Sequence, residues 1–109
     1  MRLDDARSAL SGTTYADLRW SETTGSTNAD LADAARRGDD PCALVADFQT
    51  AGRGRLDRRW ESPAGAALMM SVLVAGPFPD AGPQVVPLAL ALAAREAVAE
   101  LCGQVVGLK

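Results

Sequence analysis

A layered domain, α/β or α+β, with one sheet packed against helices, is what this sequence predicts. Three observations predict it: apolar runs of strand length, segments with apolar residues at three- and four-residue spacing, and Gly/Pro/Asp turn signals that separate the two. With 109 residues the chain holds at most one modest core, so one domain or part of one is expected. Its 48% hydrophobic and 23% charged content is that of an ordinary globular chain and argues against intrinsic disorder.

Leu3, Ala6, Arg7 and Leu10 lie on one helical face and predict a short helix over residues 3–10. Ser11-Gly12 ends it, and a strand is expected over 17–23. Thr27-Asn28-Ala29-Asp30 has the form of a capping box, with Leu31, Ala34 and Ala35 as the apolar stripe behind it, so a helix is predicted over 28–37. Gly38 suits its C-terminal cap and Asp39-Asp40-Pro41 forces a turn. The apolar run 42–48 predicts a strand covered on both faces, and the run 66–75 repeats that pattern more strongly. Between them, residues 49–65 form a polar connection long enough to be functional or mobile. Leu90, Ala94, Ala97, Val98 and Leu101 mark one face of a helix over 87–101, with Pro87 at its start and Gly103 beyond its end. Val105-Val106 is read as the beginning of a further strand.

The composition excludes several classes of function. No histidine is present, which removes Ser-His-Asp triads and Cys/His zinc sites built within this chain. Cys42 and Cys102 stand alone in apolar surroundings and are expected to be buried free thiols, not a disulfide. The longest apolar runs are too short to span a bilayer and are interrupted by Ser71 and Pro87, so no membrane segment is expected. The N-terminus lacks the apolar stretch of a secretory signal, and a cytoplasmic location follows as the default. The net charge is −3, yet Arg53, Arg55, Arg58 and Arg59 cluster. That concentration points to a small anionic ligand; a long nucleic acid would need a broader positive face, so no DNA partner is expected.

Two segments carry the candidate chemistry. In 49–60, Gly52 and Gly54 permit close backbone approach, Arg53 and Arg55 supply planar charged forks for phosphate or carboxylate oxygens, and Trp60 offers an aromatic face. A solvated arginine-rich loop whose tryptophan joins the core is the alternative on spacing alone. Gly25-Ser26-Thr27-Asn28 sets hydroxyls and an amide at a helix N-terminus, where they could bind a polar uncharged group or simply cap the helix. Lys109 is a lone lysine after an apolar stretch.

Taken together, Gly25-Ser26-Thr27-Asn28, then Gln49-Thr50-Ala51-Gly52-Arg53-Gly54-Arg55 with Arg58, then Trp60-Glu61-Ser62-Pro63-Ala64-Gly65 before a hydrophobic strand, resemble the first half of the catalytic domain of biotin protein ligases. The resemblance covers about residues 20–109, and Val106-Gly107-Leu108-Lys109 resembles the approach to the family's Lys-Trp-Pro-Asn-Asp motif. It implies an α+β fold, with a mixed β-sheet packed against helices, like the biotin/lipoate ligase and class II aminoacyl-tRNA synthetase-like catalytic domain. It also implies ATP-dependent activation of biotin to biotinoyl-5′-AMP with Mg²⁺, and transfer to a lysine of a biotin carboxyl carrier protein. By this resemblance Ser26, Thr27, Asn28 and Gln49 line the ureido pocket. Arg53, Gly54 and Arg55 close over the carboxylate and adenylate phosphate, Arg58 assists, and Trp60 walls the nucleotide side. Lys109 holds carboxylate and α-phosphate oxygens, and Arg53 and Lys109 are the catalytic pair.

Residues 1–16 are then a helical lead-in, and 17–109 the N-terminal portion of that catalytic domain. The family's downstream half and C-terminal barrel are expected beyond Lys109, so the chain alone is expected to be inactive. A non-catalytic biotin- or anion-binding module is the competing reading, and a lipoate ligase relative a weaker third. Leu56-Asp57 departs from the family's pattern, where a basic or small residue followed by glycine is common; Asp57 sets a negative charge inside the clamp. Asp47 stands where glutamate is frequent.

Overall fold

The first helix, α1 (Leu3–Leu10), turns its Leu3, Ala6 and Leu10 face inward, and Arg7 Nε donates to the Leu18 carbonyl at 3.0 Å. That bond ties α1 to β1 (Leu18–Thr24). The structure is a computed structural model that describes residues 2–78, 80 and 82–108. It divides into two compact units, Met1–Ala75 and Gly76–Lys109.

In the first unit, β1 runs parallel to β2 (Cys42–Gln49), a pairing that requires a crossover, and α2 (Thr27–Arg36) provides it. Residues 49–65 then form a small hairpin of β3 (Gly52–Arg53) and β4 (Arg59–Trp60), with a 3₁₀ turn at Arg55–Asp57 between them. The chain returns as β5 (Met69–Leu73), antiparallel to β2, which completes a mixed sheet of order β1-β2-β5. The expected α+β arrangement is therefore present. The strand expected over 66–75 is shorter because residues 63–66 close a turn, with Ala66 N–H donating to the Pro63 carbonyl, and pairing with β2 begins only at Met69.

The core lies between α2 and the sheet. Leu31 and Ala34, one turn apart on α2, pack on Cys42 and Leu44 of β2, with Leu73 of β5 beside them. Burying a leucine in this way contributes about 1.5–3 kcal/mol. Ala35, placed in the apolar stripe by spacing, is exposed, since it lies on the flank of the narrow face that Leu31 and Ala34 bury. At the far end of the sheet Arg19 bridges Asp17 and Asp39, and Arg37 joins Asp39 at 3.1 Å. These pairs pin the C-terminus of α2 to the start of β1.

In the second unit, α3 (Val85–Cys102) is built from leucine and alanine, with Pro87 in the first turn, where no backbone donor is missed. Gly103 ends it in the left-handed conformation, φ 68°, with its N–H on the Ala99 carbonyl at 3.0 Å. None of α3 is buried: Leu90 and Leu101 of the expected inward face are exposed, as is Cys102. Cys42 is the buried free thiol that both cysteines were expected to be. Val105-Val106 forms no strand, because a strand needs a ladder partner and the described residues of this unit offer none.

Candidate functional site

The carboxyl ends of β1 and β2 lie side by side, and ligands favour that end of parallel strands. Beyond the ladder the two chains stay paired: Thr50 N–H donates to the Thr24 carbonyl at 2.9 Å and Ala51 N–H to Gly25 at 2.8 Å. Gly25 thus feeds directly into the N-terminus of α2, and Gln49 into the arginine loop. A cavity of about 540 Å³ opens here, lined by Ser26, Thr27, Asn28 and Ala29 of the α2 entry, Gln49, Arg53, and 68–71.

Ser26, not Thr27, caps α2: its hydroxyl oxygen accepts from Ala29 N–H at 3.3 Å. The N-cap is therefore one residue earlier than the expected Thr27-Asp30 box, and with Ala29 at the third helical position no capping box forms. Asp30 instead accepts a hydrogen bond from the Thr24 hydroxyl, which locks the first turn of α2 to the end of β1. Freed from capping, Thr27 is 3% exposed and turns into the site. Its backbone N–H donates to Gln49 Oε1 at 2.8 Å, and its Oγ1 lies 3.0 Å from that same oxygen and 2.8 Å from Ser71 Oγ. No buried side-chain polar atom among the described residues lacks a partner, as a preformed polar pocket requires.

The arginine loop is built differently. Gly52 pairs with Trp60, and a Cβ added to it would lie 2.6 Å from the Trp60 carbonyl oxygen and 3.0 Å from Gln49 Nε2. Only glycine fits there. Gly54 N–H donates to the Arg58 carbonyl at 2.6 Å, closing the loop over the turn. Within it Leu56 and Asp57 both take left-handed backbone, φ 60° and 59°, a conformation that costs about 1–3 kcal/mol for residues other than glycine. Arg53, Arg55 and Arg58 are exposed and form no ion pair among the described residues, while Arg59 meets Glu61 at 3.6 Å. A second cavity of about 340 Å³ is lined by Ala51, Gly52, Arg53, Asp57, Arg58 and Arg59.

Ser26, Thr27, Asn28, Gln49 and Arg53 are thus brought to one cavity, and Arg53 and Arg58 to its neighbour. Gly54, Arg55 and Trp60 line neither, and Trp60 is 61% exposed. Lys109 lies outside the described residues. Sequence reasoning missed Ser71. The signal was there, since a serine inside the apolar run 66–75 must find a partner wherever that run is buried.

Strong electrostatic perturbation lies elsewhere. Hydrogen bonds from Arg19 first, and Arg37 second, hold the Asp39 carboxyl below the usual carboxylate range, and burial pushes the Cys42 thiol up. Among the described residues no three His, Cys, Asp or Glu side chains cluster to hold a metal ion. No described helix is long and apolar enough to cross a membrane.

The model of the Biotin/lipoate A/B protein ligase family matches residues 20–107. The chain is 51% identical over 51 residues to a biotin–[acetyl-CoA-carboxylase] ligase of Mycobacterium tuberculosis, which covers 45% of this chain and 19% of that protein. It is also similar to the crystal structure of biotin protein ligase from Leishmania major in complex with biotin. The TM-score is 0.65 at 38% identity, over 78% of this chain and 34% of that one. The complex of that ligase with biotinyl-5-AMP matches with a TM-score of 0.60, again at 38% identity, over 78% and 35%. The chain thus spans about a third of the solved relatives and a fifth of the curated one. With the family model's match running over most of the sequence, the chain belongs to the Biotin/lipoate A/B protein ligase family.

Proposed function

We propose that this chain carries the biotin-binding and carboxylate-activating part of a biotin protein ligase. The observation that carries the reading is the cavity in which Thr27 and Gln49, with their hydrogen bonds already directed, share a wall with Arg53, a cation with no ion-pair partner among the described residues. A neutral polar head group and a carboxylate tail suit those two environments, and biotin has both. Residues 17–109 form the first part of the catalytic domain in this reading, acting in the cytoplasm.

In the first half-reaction a biotin carboxylate oxygen attacks the α-phosphorus of ATP. The bond to the β-phosphate oxygen breaks, and pyrophosphate leaves with its electron pair. In the second, a lysine Nζ of a biotin carboxyl carrier protein attacks the acyl carbon, AMP leaves, and the nitrogen loses a proton. Neither step needs a histidine. Both depend on positioning and on neutralising charge that grows on phosphate and carboxylate oxygens. Ser26, Thr27, Asn28 and Gln49 hold the ureido ring. Arg53 and Arg55 close on the acyl phosphate with the Gly54 backbone between them; Arg58 adds charge, Trp60 flanks the nucleotide, and Lys109 meets the same oxygens as Arg53. Mg²⁺ would enter with the nucleotide and screen its phosphates.

Calorimetric titration with biotin and with biotinyl-5′-AMP tests this reading. The adenylate is expected to bind more tightly than biotin, and Arg53→Ala to weaken both, since each brings an anionic group to that side chain, with the larger loss, about 1.5–3 kcal/mol, for the adenylate. Arg53→Lys should restore only part of it, because the planar fork is lost. Equal loss for both ligands would contradict the assignment.

A further inference from the structure

The hydrogen bonds around Thr27 can run in only one direction. A backbone N–H can only donate, so the 2.8 Å contact from Thr27 N identifies the Gln49 atom as the carbonyl oxygen Oε1. The Thr27 hydroxyl, 3.0 Å from that oxygen, must then give it its proton. Both lone pairs of Oε1 are now occupied. The Ser71 hydroxyl, 2.8 Å from Thr27 Oγ1, must in turn donate to Thr27, which has no second proton to offer. Two groups are left for a ligand in the cavity that Gln49 and Ser71 both line: the Gln49 amide nitrogen, a donor, and the Ser71 oxygen, an acceptor.

We infer that Ser71, Thr27 and Gln49 form a one-way relay that fixes Gln49 as donor and Ser71 as acceptor, so that the site selects a cyclic urea over its guanidinium analogue. A urea offers a carbonyl oxygen to Gln49 Nε2 and ring N–H groups to Ser71 Oγ. A guanidinium offers N–H on every edge and meets the Gln49 donor head-on. Gln49 is thereby the residue that discriminates, and Ser71 adds an acceptor that a ring N–H of either ligand can use. The inference rests on the biotin reading, and it adds the polarity of the head-group pocket.

The test is calorimetric titration of the chain at neutral pH with biotin and with 2-iminobiotin, which carries a guanidinium in place of the urea. The unaltered chain should prefer biotin at least about tenfold, a difference in keeping with a lost bond plus an opposed donor. Gln49→Glu turns the donor into an acceptor and should move the preference towards 2-iminobiotin. Ser71→Ala should weaken both ligands about fivefold, the value of one neutral hydrogen bond, and Ser71→Thr should recover most of that loss. Equal affinity of the unaltered chain for the two ligands would overturn the relay, and so would a folded Ser71→Ala chain that binds biotin unchanged. Should Ser71→Ala fail to fold, the unaltered chain and Gln49→Glu still decide. Binding of neither ligand would overturn the biotin reading itself, and the relay's selectivity with it; binding of biotin without the preference overturns only the relay.

Discussion

Thr27 is 3% exposed and bonded on three sides by hydrogen bonds to Gln49 and Ser71, whereas Arg53, a wall of the same cavity, is exposed and unpaired among the described residues. The two halves of the site are stabilised in opposite ways. The cradle at Ser26–Thr27 belongs to the core: its polar atoms are satisfied internally, and Leu31 on the same helix packs on the sheet. The arginine loop leans on a two-residue ladder and holds two consecutive left-handed residues, Leu56 and Asp57. A neutral head group suits a preformed site, whose donors and acceptors require little reorganisation. Charge that appears only during reaction suits a loop that an anion can draw together.

Substitution at the junction between the halves should have the largest effect. Gly52→Ala places a methyl group 2.6 Å from the Trp60 carbonyl oxygen and 3.0 Å from Gln49 Nε2, so hairpin and cradle must part. Urea unfolding should show a loss of about 1–3 kcal/mol, the usual cost of overpacking, together with loss of biotin binding. A stable variant with intact binding would mean that the two halves are not coupled through this contact.

Thr27→Val comes next. It keeps the side-chain shape and removes the hydroxyl, which leaves Ser71 without its acceptor and Gln49 Oε1 with one partner. A stability loss of about 1–3 kcal/mol is expected from an unsatisfied buried group, and biotin should bind more weakly even without ATP. An unchanged melting curve and biotin affinity would remove the distinction drawn here between cradle and loop.

Asp57→Gly should act in the opposite sense. Glycine adopts the left-handed conformation without strain, so stability should rise by about 0.5–1 kcal/mol once its greater unfolded-chain entropy is counted. Removal of the carboxylate from beside Arg53 and Arg58 should also tighten adenylate binding in the same titration. Destabilisation by this change would show that the loop's backbone is not held as described.

The far end of the sheet supplies a control by pH. Arg19 and then Arg37 hydrogen-bond the Asp39 carboxyl and depress its folded-state pKa. Its contribution is therefore present above the ordinary aspartate pKa of about 3.9 and is lost as the pH falls through the lower folded value. Asp39→Asn should remove that acid-side dependence and leave biotin binding at neutral pH unchanged, as measured by thermal unfolding across acid pH and by titration.

Much of this contrast was legible in the sequence, and the errors share one cause. Periodicity located α1, α2, β2 and α3 to within a residue or two, because a helix face and a central strand each write a repeated pattern. The cap was misplaced by one residue because Ser26 and Thr27 have the same local capacity to cap. What separates them is Gln49, twenty-two positions away, which draws Thr27 into the cavity. Ser71 escaped notice for the same reason, since its partner is forty-four positions away. Local apolarity marks Leu90 and Leu101 as one helix face, Cys102 as buried and Val105-Val106 as a strand, but it records what a segment could bury and says nothing of whether a partner is there. The charge of the Gly-Arg-Gly-Arg stretch, by contrast, was legible in composition alone.

The central claim is that the cradle and the arginine loop serve one ligand. A ¹⁵N-edited NMR titration of the chain with biotin tests it most directly, because it reads each donor separately. The account predicts that the Thr27 backbone amide, the Gln49 side-chain amide and the Arg53 Nε–H shift together with a single dissociation constant, while the amides of Arg19 and Asp39 stay in place. Shifts confined to one half, or different constants for Gln49 and Arg53, would contradict it.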